Sequence, residues 1–120
     1  MRRFFGLLLC FLLTPCVVEA RSALEEQKIQ YLIDSLADLK GATFVRNGSE
    51  YDAKQAADHV RMKLRNAGSH VVTAEDFITL CATGSSASGQ PYKIRFADGH
   101  EVPSVTFLRE RLLQFHPPTQ

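Results

Sequence analysis

Thr43-Phe44-Val45-Arg46-Asn47-Gly48-Ser49-Glu50-Tyr51 decides how this chain folds. Thr43 to Arg46 is a short run rich in β-branched and aromatic residues, and Ser49 to Tyr51 is its returning partner. Asn47-Gly48 between them is the dipeptide of a type I′ turn, which needs two residues that tolerate positive φ. Asn47-Gly48-Ser49 is also formally a glycosylation sequon, and here it reads as the turn. Upstream of the hairpin, Ile29, Leu32, Ile33, Leu36 and Leu39 recur at helical spacing from Ser22 to Lys40. Ser22 can cap that helix, Glu25 and Glu26 suit its first turn, and Gly41 offers a stop. Downstream, Asp52 opens a second helix to about Asn66. Its inward face is Ala53, Ala56, Ala57, Val60, Leu64 and Ala67, and Gly68 ends it. Three alanines on that face imply close approach to whatever packs there.

The same order then recurs. Thr73 and Asp76 form a capping box for a short helix through Phe77, Ile78 and Cys81. After a Ser/Gly loop, Tyr92 to Phe96 alternates as a strand, Asp98-Gly99 turns it, and Glu101-Val102 returns. Ser104 caps a last helix with Val105, Leu108, Leu112 and Phe115 inward, and His116-Pro117-Pro118 terminates it, leaving a frayed tail from about residue 117. Helix–hairpin–helix thus occurs twice. Two short hairpins cannot stand alone in water. The expectation is one α+β domain over residues 21–120: two hairpins in a small, mostly antiparallel sheet, packed with about four helices.

Residues 1–20 have the layout of a secretory signal peptide: Met1-Arg2-Arg3, an apolar run from Phe4 to Leu13, and small residues at the end of Val18-Glu19-Ala20. The apolar run is too short to span a bilayer, so no integral span is expected once the leader is removed. Leu13-Thr14-Pro15-Cys16 is a poor lipidation box because Pro15 stands where a small residue is wanted. Removing the leader takes Arg2 and Arg3 from fourteen Lys/Arg and Glu19 from thirteen Asp/Glu, leaving twelve of each. A balanced charge exerts no general pull on nucleic acid, and acidic residues interleave with Arg61, Lys63, Arg65, Lys93, Arg95, Arg109 and Arg111. Of three cysteines only Cys81 remains, so the exported domain holds together without an internal disulfide.

Several spaced segments resemble one family: Thr43 to Gly48 with Tyr51, Ala56 to Lys63, Ala74 to Ile78, Cys81-Ala82, and Ser85 to Tyr92. The chain is similar over nearly all its mature length to the YfeK-like family of small exported bacterial proteins, a domain of unknown function. The resemblance implies a bacterial envelope protein, most plainly a periplasmic one. It supplies no activity and no catalytic residue.

The candidate binding surface is Ser85, Ser86, Ser88, Gly89 and Tyr92 with His59, Lys63 and Arg61. The loop Gly84 to Gly89 is rich in backbone donors and hydroxyls, suited to cradle an anion or enter a partner's cleft, although a plain connector would read the same way. It lacks the Gly-Lys-Ser/Thr of a P-loop. His59 lies at the edge of the alanine face, where an imidazole is half buried and still reachable. The bland alternative is a histidine satisfied by a backbone carbonyl, with Arg61 merely paired to Asp58. Cys81 falls in the apolar stripe with Phe77 and Ile78 and reads as a buried, inert cysteine. His59, His70, His100 and His116 show no metal-ligand spacing, and no cofactor is expected.

The favoured reading is a non-catalytic binding module whose partner is an envelope protein or a cell-wall glycan. One alternative is a small hydrolase with Ser86 or Ser88 as nucleophile, His59 as base and Asp52 or Asp58 as orienter. Another is a lysozyme-inhibitor-like protein, because Ser88-Gly89-Gln90-Pro91-Tyr92 is similar to the Ser-Gly-x-x-Tyr loop of periplasmic inhibitors.

Overall fold

The computed structural model describes residues 20–118. The leader read over residues 1–20, with Cys10 and Cys16, lies outside the described residues except for Ala20. The elements are α1 (Ala23–Ala37), β1 (Thr43–Arg46), β2 (Ser49–Tyr51), α2 (Ala53–Ala67), α3 (Ala74–Phe77), β3 (Lys93–Arg95), β4 (Glu101–Pro103) and α4 (Ser104–Leu113). The expected α+β architecture is present, and helix–hairpin–helix occurs twice in the order of elements.

The sheet is antiparallel throughout, in the order β2-β1-β3-β4. The hairpins therefore join through their first strands. The register lines up Tyr51, Phe44, Ile94 and Val102 as one row across all four strands. Strand side chains alternate between faces, so this row points one way and Glu50, Val45, Lys93 and Pro103 point the other. Phe44 and Ile94 are buried, and Tyr51 and Val102 pack against the core. On the outer face Glu50, Lys93, Pro103 and Glu101 are exposed, and Arg95 pairs with Glu50. The helices thus cover one face only, giving two layers.

α1 forms the spine of the helical layer. Ser22 accepts from the Glu25 amide as its N-cap, and Ile29, Leu32, Ile33 and Leu36 are each no more than 2% exposed. Burial of side chains this size contributes roughly 1.5–3 kcal/mol apiece. The helix packs on α2, α3 and α4. It stops at Ala37 rather than Lys40: the Asp38 amide bonds back to the Asp34 and Leu36 carbonyls. Gly41 (φ 83°) belongs to the turn that follows. In α2, Asp52 and Gln55 form a reciprocal capping box. Ala53, Ala57 and Val60 are buried, while Ala56 is only partly so.

α3 has the capping box expected of Thr73 and Asp76. The Val72 and Thr73 amides donating to the Asp76 carboxylate hold it below the ordinary carboxylate range. Glu25 of α1 accepts from the Ala74 amide at 2.8 Å, tying the two helix starts together. Beyond Phe77 the chain widens into a π-helical turn over Ile78–Ala82, which the apolar spacing does not announce. The Thr83 hydroxyl donates to the Ile78 carbonyl at 2.7 Å and closes it.

One cap is corrected. Pro103 occupies the N-cap position of α4, and Ser104, expected there, is the first helical residue and is buried. The Ser104 amide donates to the Tyr92 carbonyl at 2.9 Å, which draws Ser104 into the fold. Phe115 meets the Tyr31 ring edge-on at 5.4 Å between centroids.

Candidate functional site

β1 and β3 pair with Phe44 opposite Ile94 and Val45 opposite Lys93. One step further, the same register sets Arg46 across from Tyr92. Arg46 follows Phe44 by two residues and Tyr92 precedes Ile94 by two, so both share the helix-covered face. α2 runs above them and presents His59 and, one turn later, Lys63. Tyr92 is held by its backbone at both ends: its amide donates to the Thr83 carbonyl and its carbonyl accepts from Ser104.

The side chains meet. Lys63 Nζ lies 3.1 Å from the Tyr92 hydroxyl and 3.0 Å from the Gly84 carbonyl. An ammonium can only donate, so the tyrosine oxygen accepts from Lys63 and its own proton is left for His59 Nε2, at 3.2 Å. Arg46 Nη1 is 3.0 Å from His59 Nδ1 and 2.9 Å from Nε2. It is almost equidistant from the two, so the guanidinium faces the ring as a whole rather than one lone pair. Partial burial, then the charges of Arg46 and Lys63, push the His59 pKa below its ordinary 6.5. A second proton on this imidazole would sit between two cations, and the neutral ring is favoured.

The serine loop is fastened to the same corner. The Ser85 amide donates to the Gln90 carbonyl, and the Gly89 amide to the Ser85 carbonyl, both at 2.9 Å. Ser85 is buried; its hydroxyl accepts from Asn47 Nδ2 at 3.0 Å and from the Ala87 and Ser88 amides. The Ser88 hydroxyl donates to Asn47 Oδ1 and accepts from the Gln90 amide. Asn47 has φ 50° and Gly48 φ 77°, the two positive values of a type I′ turn. The first hairpin's turn therefore serves as a staple for the loop.

Two clefts flank the Arg46–His59–Tyr92 group. The first, about 480 Å³, is lined chiefly by carbon from Leu36, Phe44, Tyr51, Ala56 and Val60. Ala56 borders this space, so the third alanine leaves room beside the sheet instead of closing it. The second, about 440 Å³, is bordered by Lys63, Asn66, Leu80, Ser85 and Ser86. Arg46, His59, Met62 and Tyr92 border both. No Asp or Glu is among the described residues lining the second cleft.

The fold thus brings together His59, Lys63, Tyr92, Ser85 and Ser86, with Ser88 and Gly89 exposed on the adjoining loop. Arg61 stays apart: it pairs with Asp58 at 3.1 Å and borders neither cleft. Arg46 and Asn47 are the residues that sequence reasoning missed as site members. Their signal is the strand register, which exists only once the two hairpins are joined.

The hydrolase constellation gains no support. Asp52 is engaged as the α2 cap, and Asp58, held below the ordinary carboxylate range by Lys54 and then Arg61, pairs with those two cations. The partners of His59 are Arg46 and Tyr92. In the Ser-Gly-x-x-Tyr alternative, the tyrosine hydroxyl is engaged by His59 and Lys63 of α2. Cys81 is fully buried, and burial pushes its thiol pKa up, as an inert core cysteine requires. Among the described residues no three His, Cys, Asp or Glu side chains converge on a point, and no helix is long and apolar enough to cross a membrane.

Fold and site together define a two-layer α+β domain with a cationic cleft at the joint of its hairpins. The chain belongs to the Family of unknown function (DUF5329), whose model matches residues 23–116. It is 42% identical over 71 residues to the uncharacterized protein YfeK of Salmonella typhimurium, covering 59% of each chain. The match spans about three-fifths of that relative's length. No solved structure matches the chain.

Proposed function

We propose that this is an exported, non-catalytic binding module that works in the bacterial cell envelope, most plainly the periplasm. Its partner is an envelope protein or a cell-wall glycan, engaged through the serine loop, Tyr92 and the His59–Lys63 edge of α2. The observation that carries the reading is the second cleft, with Arg46 and Lys63 in its wall and no carboxylate lining it. Such a wall favours an acidic group on the partner, met by charge-assisted hydrogen bonds. The leader layout of residues 1–20 supports export.

The test is partner capture. The full chain is expressed in its exporting host, gently cross-linked, and compared with a variant carrying Ser86→Ala, Ser88→Ala and Tyr92→Phe. A partner enriched with the parent and lost from the variant is the expected result. Equal capture by both proteins, with matching thermal melts, removes this surface from the account. Turnover of an ester or glycoside that disappears in His59→Ala would replace binding by catalysis.

A further inference from the structure

The apolar cleft is larger than a partner's acidic group needs, and it opens onto the same cations. Arg46 is the hinge between the two spaces. On one side its guanidinium carbon stands 5.6 Å from the Tyr51 ring centroid, and on the other Nη1 faces His59. Nε and Nη2 of Arg46 have no hydrogen-bond partner among the described residues, so two donors of the guanidinium fork remain for a ligand carboxylate. Met62 and Leu80, which border these clefts, are 42% and 47% exposed. Each cleft lies within the range of about 300–1,000 Å³ typical of small-molecule sites.

We propose that the two clefts form one bipartite site for a free, single-chain acidic amphiphile, its hydrocarbon chain in the apolar cleft and its carboxylate against Arg46 and Lys63. The charge pattern selects the head: two cations meet it and no acid lines the cleft it enters. The wall of the apolar cleft selects the tail. Leu36, Phe44, Ala56 and Val60 form a stretch with no side-chain hydrogen bond to offer, while Gln55, Asp58, Arg65, Lys93 and Ser104 supply the polar groups that also border this cleft. A peptide laid along that stretch would bury amides without partners, whereas a hydrocarbon chain has no polar group to satisfy there. Apolar transfer out of water supplies affinity, and the Arg46–Lys63 end fixes direction. This inference rests on the reading of the second cleft as a binding site.

Calorimetric titration of the purified full chain tests it, with dodecanoate, dodecyltrimethylammonium and acetate as probes below their micellar concentrations. Dodecanoate is expected to bind one to one. The cation, with the same chain, and acetate, with the same head, should each bind at least roughly tenfold more weakly. Arg46→Gln should weaken dodecanoate roughly tenfold, and Ala56→Phe should abolish its binding by filling the cleft. Melting curves confirm that each variant is folded, and the comparison among the three probes needs no variant at all. Equal binding of dodecanoate and the ammonium overturns the proposal. So does binding of only an acidic peptide, or only of phosphatidylglycerol vesicles. Envelope partner capture is scored separately: dodecanoate binding without capture keeps this site and removes the envelope reading, and the reverse removes this site alone.

Discussion

The two hairpins begin from the same cue, a turn dipeptide ending in glycine, and are put to different uses. Asn47-Gly48 turns with both φ values positive, and Asn47 then reaches across to Ser85 and Ser88. In the second hairpin only Gly99 is positive, at 90°. The Phe96 amide bonds the His100 carbonyl and the Gly99 amide bonds the Phe96 carbonyl, making a three-residue loop that closes on itself. His100 pairs with Asp98 and stacks on Phe96 with ring centroids 4.6 Å apart. The first turn is thus an organiser of the cleft and the second a self-contained corner. What separates them is the serine loop, which enters β3 beside β1 and has no counterpart beside β4.

The largest expected effect comes from breaking the joint between the hairpins. Ile94 is fully buried at the centre of the cross-sheet row, and Ile94→Ala should cost about 3 kcal/mol in chemical denaturation. The Arg46–Tyr92 alignment should loosen with it, seen as changed amide resonances for both. Next is Gly84→Ala. An added Cβ would stand 2.8 Å from the Gln90 carbonyl oxygen, a backbone atom that cannot swing aside. The loop must shift, at a cost of about 2 kcal/mol, and the residue-84 carbonyl that accepts from Lys63 shifts with it. A melt unchanged by this substitution would mean that the close approach of Gly84 and Gln90 is not maintained.

The comparison itself is sharpened by Gly48→Ala and Gly99→Ala. Each glycine has positive φ with open space where a Cβ would stand, so each alanine costs about 1–2 kcal/mol through backbone strain alone. The two should differ in reach. Gly48→Ala should shift amide resonances of Ser85 to Gln90, while the effects of Gly99→Ala stay within 96–101. Matching effects of both on the serine loop would erase the distinction.

The smallest expected effect is a pH slope. The folded His59 holds its proton less well than in an unfolded chain, where the ordinary value is 6.5. Below that value the unfolded state takes up a proton the native state refuses, so stability falls as pH drops from 6.5 toward the lowered folded value. Above 6.5 both states are neutral at this residue and its contribution is flat. His59→Gln should remove this part of the slope in urea unfolding followed between about pH 7 and 5. An unaltered slope would place the titration elsewhere.

How much was legible in the sequence follows the range of the interactions. Caps and the first turn are local: Ser22, Asp52 and Thr73 each act within three residues of themselves, and all three were readable. Local cues also compete, and Ser104 shows the limit, because Pro103 before it takes the cap position and the Tyr92 carbonyl claims its amide. The π-helical turn at Ile78–Ala82 depends on the Thr83 hydroxyl, which an apolar periodicity does not register. In the site, His59, Lys63 and Tyr92 could be singled out by residue type and helix face. Arg46 and Asn47 could not, because their partners lie 13 or more residues away: Arg46 meets His59 through the packing of α2 on β1, and Asn47 meets the serine loop across the molecule. Arg61 shares a helix with His59 but not its face, and residue type alone kept it in the candidate set.

The most direct measurement places a photo-crosslinking residue at Ser86, on the cleft, or at Asp98, on the self-contained corner, in full chains expressed in the exporting host. The expected result is a covalent adduct from position 86, abolished by Arg46→Gln in the same chain, and none from position 98. An adduct from position 98 with none from position 86 would contradict the assignment of the hairpin joint as the binding surface.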